Sequence, residues 1–191
     1  MGYWHEIQSN LTQALLHYQK AVKHSPWNQR YLNNLAVTLR KLGRYAESIN
    51  YYEKILTLDR DYLLAHVGIA QSYAHSRKLE MAKRYLEQFM ALAGQQTVSD
   101  QLKNQATWNF HGTLLETPDE KRQYALYQLG LMQLLLDQQE DAQRTMQAAQ
   151  AIKTGIGTGI QAAVAEDIAL LDKANAEYAA QTTLFKQLYL Q

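Results

Sequence analysis

A chain of 191 residues with a 47% hydrophobic share can bury a sizeable core, as one domain or one continuous stack. Lys and Arg number 19 against 18 Asp and Glu, a net charge of +1, which lacks the basic excess of a nucleic-acid-binding domain. No cysteine is present, so disulfides and thiolate chemistry are excluded, and with only two prolines most of the chain is free to be helical.

In chain order, Met1 to Asn10 has no positively charged start followed by an apolar run, so it does not read as a secretory signal. Residues 11–24 form a first helix, capped by Ser9 or Asn10 and followed by Pro26. Leu32, Leu35, Ala36 and Leu39 then recur at helical spacing, and Gly43 stops that helix. A further helix carries Tyr45, Ser48, Ile49, Tyr52, Ile55 and Leu56 on one face. Two short helices joined by so tight a turn lie antiparallel, and neither buries its stripe alone.

A step of 34 residues reproduces this pattern. Small Ser48 maps to Ala14 and Ala82, and large Tyr52 to Tyr18 and Leu86. Tyr45 maps to Leu11 and Leu79, and Ile55 to Ala21 and Phe89. Small side chains are needed where helices approach closely, and large ones fill the gap between successive pairs. Over residues 9–93 the chain resembles the tetratricopeptide repeat family, with Pro26 where that family closes its second helix and Arg60 as a departure 34 residues later. The resemblance implies an all-α, right-handed superhelix of antiparallel helix pairs. Stepping 34 residues before Leu35 lands on Met1, so the first repeat lacks most of its opening helix and the N-terminus reads as truncated.

The third pair runs from about Tyr62 to Ala93, with Gly68 and Ala70 as close-approach residues and Arg77-Lys78 in place of the turn glycine. There the period breaks. Ser99 as a cap, with Leu102, Ala106, Phe110, Leu114 and Leu115 along one side, predicts an inserted helix over 99–116. Thr117, Pro118 and Glu120 form a capping box with proline at the first helical position, and start a helix carrying Leu126, Leu129, Gly130 and Gln133. Its mate carries Ala142, Met146, Ala149 and Ile152, with Ala142 lying 60 residues beyond Ala82. Thr154 to Gly159 reads as a loop, and Ile160 to Leu190 as a C-terminal helix, continuous or broken near Asp172, that caps the stack. The expected layout is a single domain over 1–191: regular repeats over 1–96, an inserted helix over 97–117, a further repeat over 118–156 and a capping helix over 157–191.

The resemblance also implies a function. The first helix of each pair lines a concave face along which partner peptides lie in this family. The groove-side candidates are Arg30, Asn33, Asn34, Val37, Arg40 and Lys41, then Gln71 and His75 beside Leu64 and Val67, then Tyr124 and Tyr127 beside Leu131. Asn and Arg there suit an extended peptide's amides and carboxylates. The subclass that grips a C-terminal carboxylate is not matched: Asn34 fits, but Leu64 and Gly68 stand where its basic residues belong. Tyr124, Tyr127 and Leu131 suit an amphipathic helix, either a partner's or an internal one, and both the C-terminal helix and the 99–116 helix are candidates for that place. The competing reading is a solvated face with no ligand.

Other features carry less. Gly155, Gly157 and Gly159 follow a helix rather than a strand and have no lysine or acidic partner at phosphate-cradle spacing. His17 and His24 share a helix face without a third metal ligand, and Trp4, Trp27 and Trp108 read as packing residues. The chain therefore reads as a non-enzymatic scaffold that needs no cofactor. Its partner is another protein or peptide, with self-association or service as a regulatory or targeting domain of a larger protein as alternatives, and no nucleic acid is expected. No apolar run is long enough to span a membrane, since Leu129 to Leu136 is short and broken by Gln133. The expected location is cytoplasmic, with a periplasmic or tethered one left open by the truncated start.

Overall fold

The structure, a computed structural model, describes residues 10–95, 108–110, 113–154 and 157–190. Among the described residues five helices come first: α1 (Leu11–His24), α2 (Gln29–Lys41), α3 (Tyr45–Leu58), α4 (Leu63–His75) and α5 (Leu79–Ala93). A short hairpin of β1 (Trp108–Phe110) and β2 (Thr113–Leu115) follows. Then come α6 (Pro118–Leu135), α7 (Gln139–Ala151), α8 (Gly157–Ala174), a 3-10 turn (Ala176–Tyr178) and α9 (Ala179–Tyr189).

Local chemistry sets the boundaries. Asn10 and Asn28 cap α1 and α2, their side-chain oxygens accepting from the backbone N–H of Gln13 and Tyr31 at 3.1 Å each. At α6 the capping box is complete: Thr117 Oγ1 accepts from Glu120 N at 3.2 Å, and Glu120 Oε2 accepts from Thr117 N at 2.9 Å. The three turns within helix pairs, α2–α3, α4–α5 and α6–α7, share one geometry. Gly43, Arg77 and Asp137 all take the left-handed conformation, at φ 76°, 63° and 60°. Behind each, the next residue's N–H reaches five residues back, in Arg44 to Leu39, Lys78 to Tyr73 and Gln138 to Gln133, each at 2.9 Å. Arg77 and Asp137 thus do the work of glycine, at a conformational cost that Gly43 avoids.

Packing follows the 34-residue step. Ala14, Ser48, Ala82 and Ala142 are all essentially inaccessible, and so are their large companions Tyr18, Tyr52, Leu86 and Met146. Ser48 Oγ satisfies itself against the Ala36 carbonyl at 2.8 Å. Gly68 is required by a close approach, since a Cβ there would lie 2.2 Å from Cζ of Tyr52. Each helix packs on its neighbour in chain order through α5, and α5 then packs on α6 across the hairpin. The 60-residue offset places Ala142 where a fourth small residue belongs, so α6 and α7 extend the same stack.

Two expectations are corrected. Residues 108–110 and 113–115 are not helical: β1 and β2 pair antiparallel, with Trp108 opposite Leu115 and Phe110 opposite Thr113. Trp108 is buried edge-on to Phe89, ring centroids 5.9 Å apart, beneath the Lys121 ammonium at 5.6 Å. A hairpin delivers that indole to the junction of α5 and α6 in few residues. The strands are separated by His111-Gly112, and a two-residue loop with glycine is a hairpin signal that a helical stripe count overlooks. Ser99, Leu102 and Ala106 of the expected helix lie outside the described residues, as do Trp4 and Gly155. The second correction concerns the loop expected over 154–159: α8 begins at Gly157, while the C-terminal segment takes the broken of its two expected forms, with the break at Asn175.

Candidate protein-binding groove

The first helices of the pairs, α2, α4 and α6, line one side of the stack. Of these, α4 and α6 are buried around nearly their whole circumference, which helices bordering an open groove would not be. The cause is α8. It packs against α6, α4 and β2 rather than onto α7, and so lies across the concave side instead of covering the end of the stack. The end is left to α7, whose buried residues Ala142, Met146 and Ala149 face inward while Gln143, Arg144, Gln147 and Gln150 are exposed.

The buried edge of α8 is Ile160, Ala163, Val164, Asp167, Ile168 and Leu171, a stripe at helical spacing. Burying four large aliphatic side chains there contributes about 6–12 kcal/mol before the entropy of ordering the segment is subtracted. At the centre of the seam sits Asp167, 4% exposed. It accepts hydrogen bonds from the Tyr124 hydroxyl and from Gln128 Nε2, the latter at 2.8 Å, and Gln71 Nε2 donates to the Tyr124 oxygen at 2.8 Å. Burial, and then the neighbouring Asp167 charge, push the Tyr124 hydroxyl well above its ordinary value, so it stays protonated and donates. His75 stacks on Tyr45 at 5.5 Å between centroids, and burial followed by the Arg40 charge pulls its imidazole below the ordinary value. Between α4, α6 and α8 the seam leaves a void of only about 10 Å³, at the threshold for admitting one water. At the far end Asn175 ties α8 down, accepting from Arg77 Nε at 2.6 Å and donating to the His75 carbonyl at 3.2 Å.

The structure divides the ten expected groove residues. Gln71, His75, Tyr124 and Tyr127 lie beneath α8 and are buried. Arg40 is also buried, and its charge acts on both His75 and Tyr124, so it marks the margin of the covered region. Arg30 and Lys41 are exposed, and Asn33, Asn34 and Val37 are half-buried, on the part of the concave side that belongs to α2. Asn33 Oδ1 and Arg40 Nε are buried with no hydrogen-bond partner. Sequence reasoning missed Asp167, Gln128 and Asn175. An acid at the centre of an otherwise aliphatic stripe was the available signal for Asp167.

Elsewhere, a recess of about 720 Å³ opens between α3 and α5, with Leu56, His66, Tyr85 and Gln88 among its walls, away from the concave side. Among the described residues no three His, Cys, Asp or Glu side chains converge as metal ligands, and no helix is long and apolar enough to cross a membrane.

Comparison with known proteins agrees with this geometry. The tetratricopeptide repeat profile matches residues 30–62, the α2–α3 pair. A TPR repeat-containing thioredoxin of Arabidopsis thaliana, TTL4, is 32% identical over 79 residues, which is 41% of this chain but 12% of that protein. Among solved structures, that of MamA superposes with a TM-score of 0.61 at 17% identity, covering 98% of this chain and 95% of that one. A thermophilic TPR protein of Thermus thermophilus, TTC0263, gives 0.55 at 21% identity, over 95% and 87% of the two chains. YrrB, described as a TPR protein with an unusual peptide-binding site, gives 0.52 at 16% identity, over 89% and 82%. Residues 30–62 thus match a tetratricopeptide repeat, and the small and large residues in register, the shared turn geometry and these likenesses give the described stack the fold of a tetratricopeptide-repeat superhelix.

Proposed function

We propose that this protein is an interaction scaffold that holds a segment of a partner protein along the α2 side of its concave face. The observation that carries this reading is the chemistry of α2. The helix bears Arg30, Arg40 and Lys41 with no acidic residue, and it presents the exposed Arg30 and Lys41 with the half-buried amides of Asn33 and Asn34. A strip with cationic donors and side-chain amides suits an extended segment that brings carboxylates and free backbone groups. The same strip lies beside, not beneath, α8. The peptide-binding site ascribed to YrrB, a neighbour in fold, lends support. The reading assigns no reaction to this chain, and its partner is a protein.

Affinity capture with the parent chain, compared with an Arg30→Glu/Asn33→Ala double variant of unchanged thermal stability, tests it. Bound partner should fall at least about tenfold, since each charge-assisted contact contributes about 1.5–3 kcal/mol. Partners retained at parental levels would remove the α2 strip as the site.

A further inference from the structure

The concave positions of α4 and α6 do not face solvent; they face α8, a helix of the same chain. That placement is the one a partner helix would take in an open groove, and α8 has the form of such a partner. One edge carries Ile160, Val164, Ile168 and Leu171 with Asp167 among them, while Glu166, Ala169, Leu170 and Lys173 on the other side are exposed. We infer that the α8–α9 hairpin is an exchangeable internal ligand, which a partner's amphipathic helix with the same edge replaces on α4 and α6. This rests on the concave face being the binding face, as proposed above.

Three features separate this seam from the structural ones in the stack. First, it is built around polar groups. Tyr124 and Gln128 donate to a buried carboxylate with Gln71 behind the Tyr124 hydroxyl, whereas the α1–α2 contact is made by Ala14, Tyr18 and Leu35, and the α3–α4 contact by Ile49, Tyr52 and Ile69 beside the uncharged Ser48–Ser72 hydroxyl pair. Amide and hydroxyl groups regain hydrogen bonds to water when uncovered, so the floor tolerates the moment of exchange better than a wholly apolar one. Second, a buried acid fixes register, because sliding α8 by one turn takes Asp167 away from Tyr124 and Gln128. The groove therefore selects a helix with a carboxylate seven residues after the first aliphatic and one residue before the third. Third, the far end of α8, where Asn175 is itself buried, is held in part by an exposed ion pair. Arg77 bonds Asn175 at 2.6 Å and pairs with Glu177 at 3.4 Å, and both members of that ion pair are more than half exposed. Exposed pairs of this kind hold weakly and release readily.

The partner so defined is an amphipathic helix whose buried edge reads aliphatic, aliphatic, acid-aliphatic, aliphatic at relative positions 0, 4, 7–8 and 11. A fluorescein-labelled synthetic peptide of residues 157–174 is the probe, titrated into the full chain and into an Arg77→Gly variant. Glycine keeps the left-handed turn at 77 while removing the latch to Asn175 and Glu177. The internal helix lowers the apparent affinity by the fraction of time it occupies the groove, so the peptide should bind the variant about tenfold more tightly than the parent. A peptide carrying Asp167→Lys should lose about tenfold on the same variant. Hydrogen exchange of the full parent chain should show α8 and α9 amides opening at lower free energy than those of α4 and α6. The inference is overturned if the peptide binds both proteins equally or neither. It is also overturned if α8 amides exchange only in the global unfolding event that exposes α4. These outcomes leave the α2 strip untouched, because the peptide assay reads α4 and α6 while the Arg30→Glu/Asn33→Ala comparison reads α2.

Discussion

Replacing Gly68 by alanine isolates the close approach on which the stack depends. A methyl group there would lie 2.2 Å from Cζ and 2.5 Å from the hydroxyl oxygen of Tyr52, whose ring is almost wholly buried between α3 and α4. Ordinary contact begins at 3.4 Å, so the ring or the helix must move by more than an ångström. Overpacking costs about 1–3 kcal/mol, and a 2.2 Å approach to a buried ring sits in the upper part of that range, about 2–3 kcal/mol, while alanine recovers about 1 kcal/mol of helix propensity. The net expectation is a loss of about 1–2 kcal/mol, read in urea unfolding as a lower midpoint, or as roughly 2–8 °C in Tm for a chain of this size. Gly130 supplies the control. Its added methyl would meet the Met146 sulfur at 2.5 Å, the flexible part of an adaptable side chain. Gly130→Ala should therefore lie between neutral and about 1 kcal/mol stabilising. Adding Gly68→Ala to Tyr52→Leu should cost little, giving a coupling of about 1 kcal/mol in the double-mutant cycle. If Gly68→Ala proves as stable as the parent, or Gly130→Ala the more damaging of the two, the assigned packing of α3 on α4 is wrong.

Further expectations concern the turns, the hairpin and acid stability. Asp137→Gly should stabilise by about 0.5–1 kcal/mol in thermal unfolding, because Asp137 holds φ 60° at an exposed turn with only a 3.4 Å side-chain contact. Trp108→Ala should cost about 3–5 kcal/mol, since the indole is buried against Phe89 and under Lys121, and a loss below 1 kcal/mol would contradict the hairpin's anchoring role. Burial holds both His66 and His75 below the ordinary imidazole value, so the unfolded chain binds protons there before the folded one does. Their contribution to stability is complete above about pH 6.5 and is lost as pH falls below it, by up to about 1.4 kcal/mol per pH unit for each histidine. Urea midpoints between pH 7.5 and 5 should fall less steeply in a His75→Gln variant, and an unchanged slope would refute this.

Much of the fold is legible along the chain, because its rules are local. The alternation of Ala14, Ser48 and Ala82 with Tyr18, Tyr52 and Leu86 specifies the helix pairs, and Thr117 with Glu120 fixes the start of α6. What escapes is decided at long range. Periodicity places apolar residues on a face but cannot say which partner covers them, so the stripe from Ile160 to Leu171 predicts a buried helix without choosing between the end of the stack and its groove. The ten groove residues were identifiable by position, yet four of them lie under α8, more than 30 residues further along the chain. The hairpin escaped for the opposite reason. Its signal is only Trp, Phe, Thr and a His-Gly dipeptide, and five apolar residues at helical spacing outweighed it.

The position of α8 is the point on which the account turns. Methyl NOE spectroscopy on the full chain, with Ala, Leu and Met methyls labelled, reads it directly. Leu171 should show cross-peaks to Ala74 on α4 and to Leu131 and Met132 on α6, the side chains that share its cavity. Cross-peaks from Leu171 to Ala142 or Met146 on α7, with none to Ala74, would place the helix at the end of the stack and contradict it.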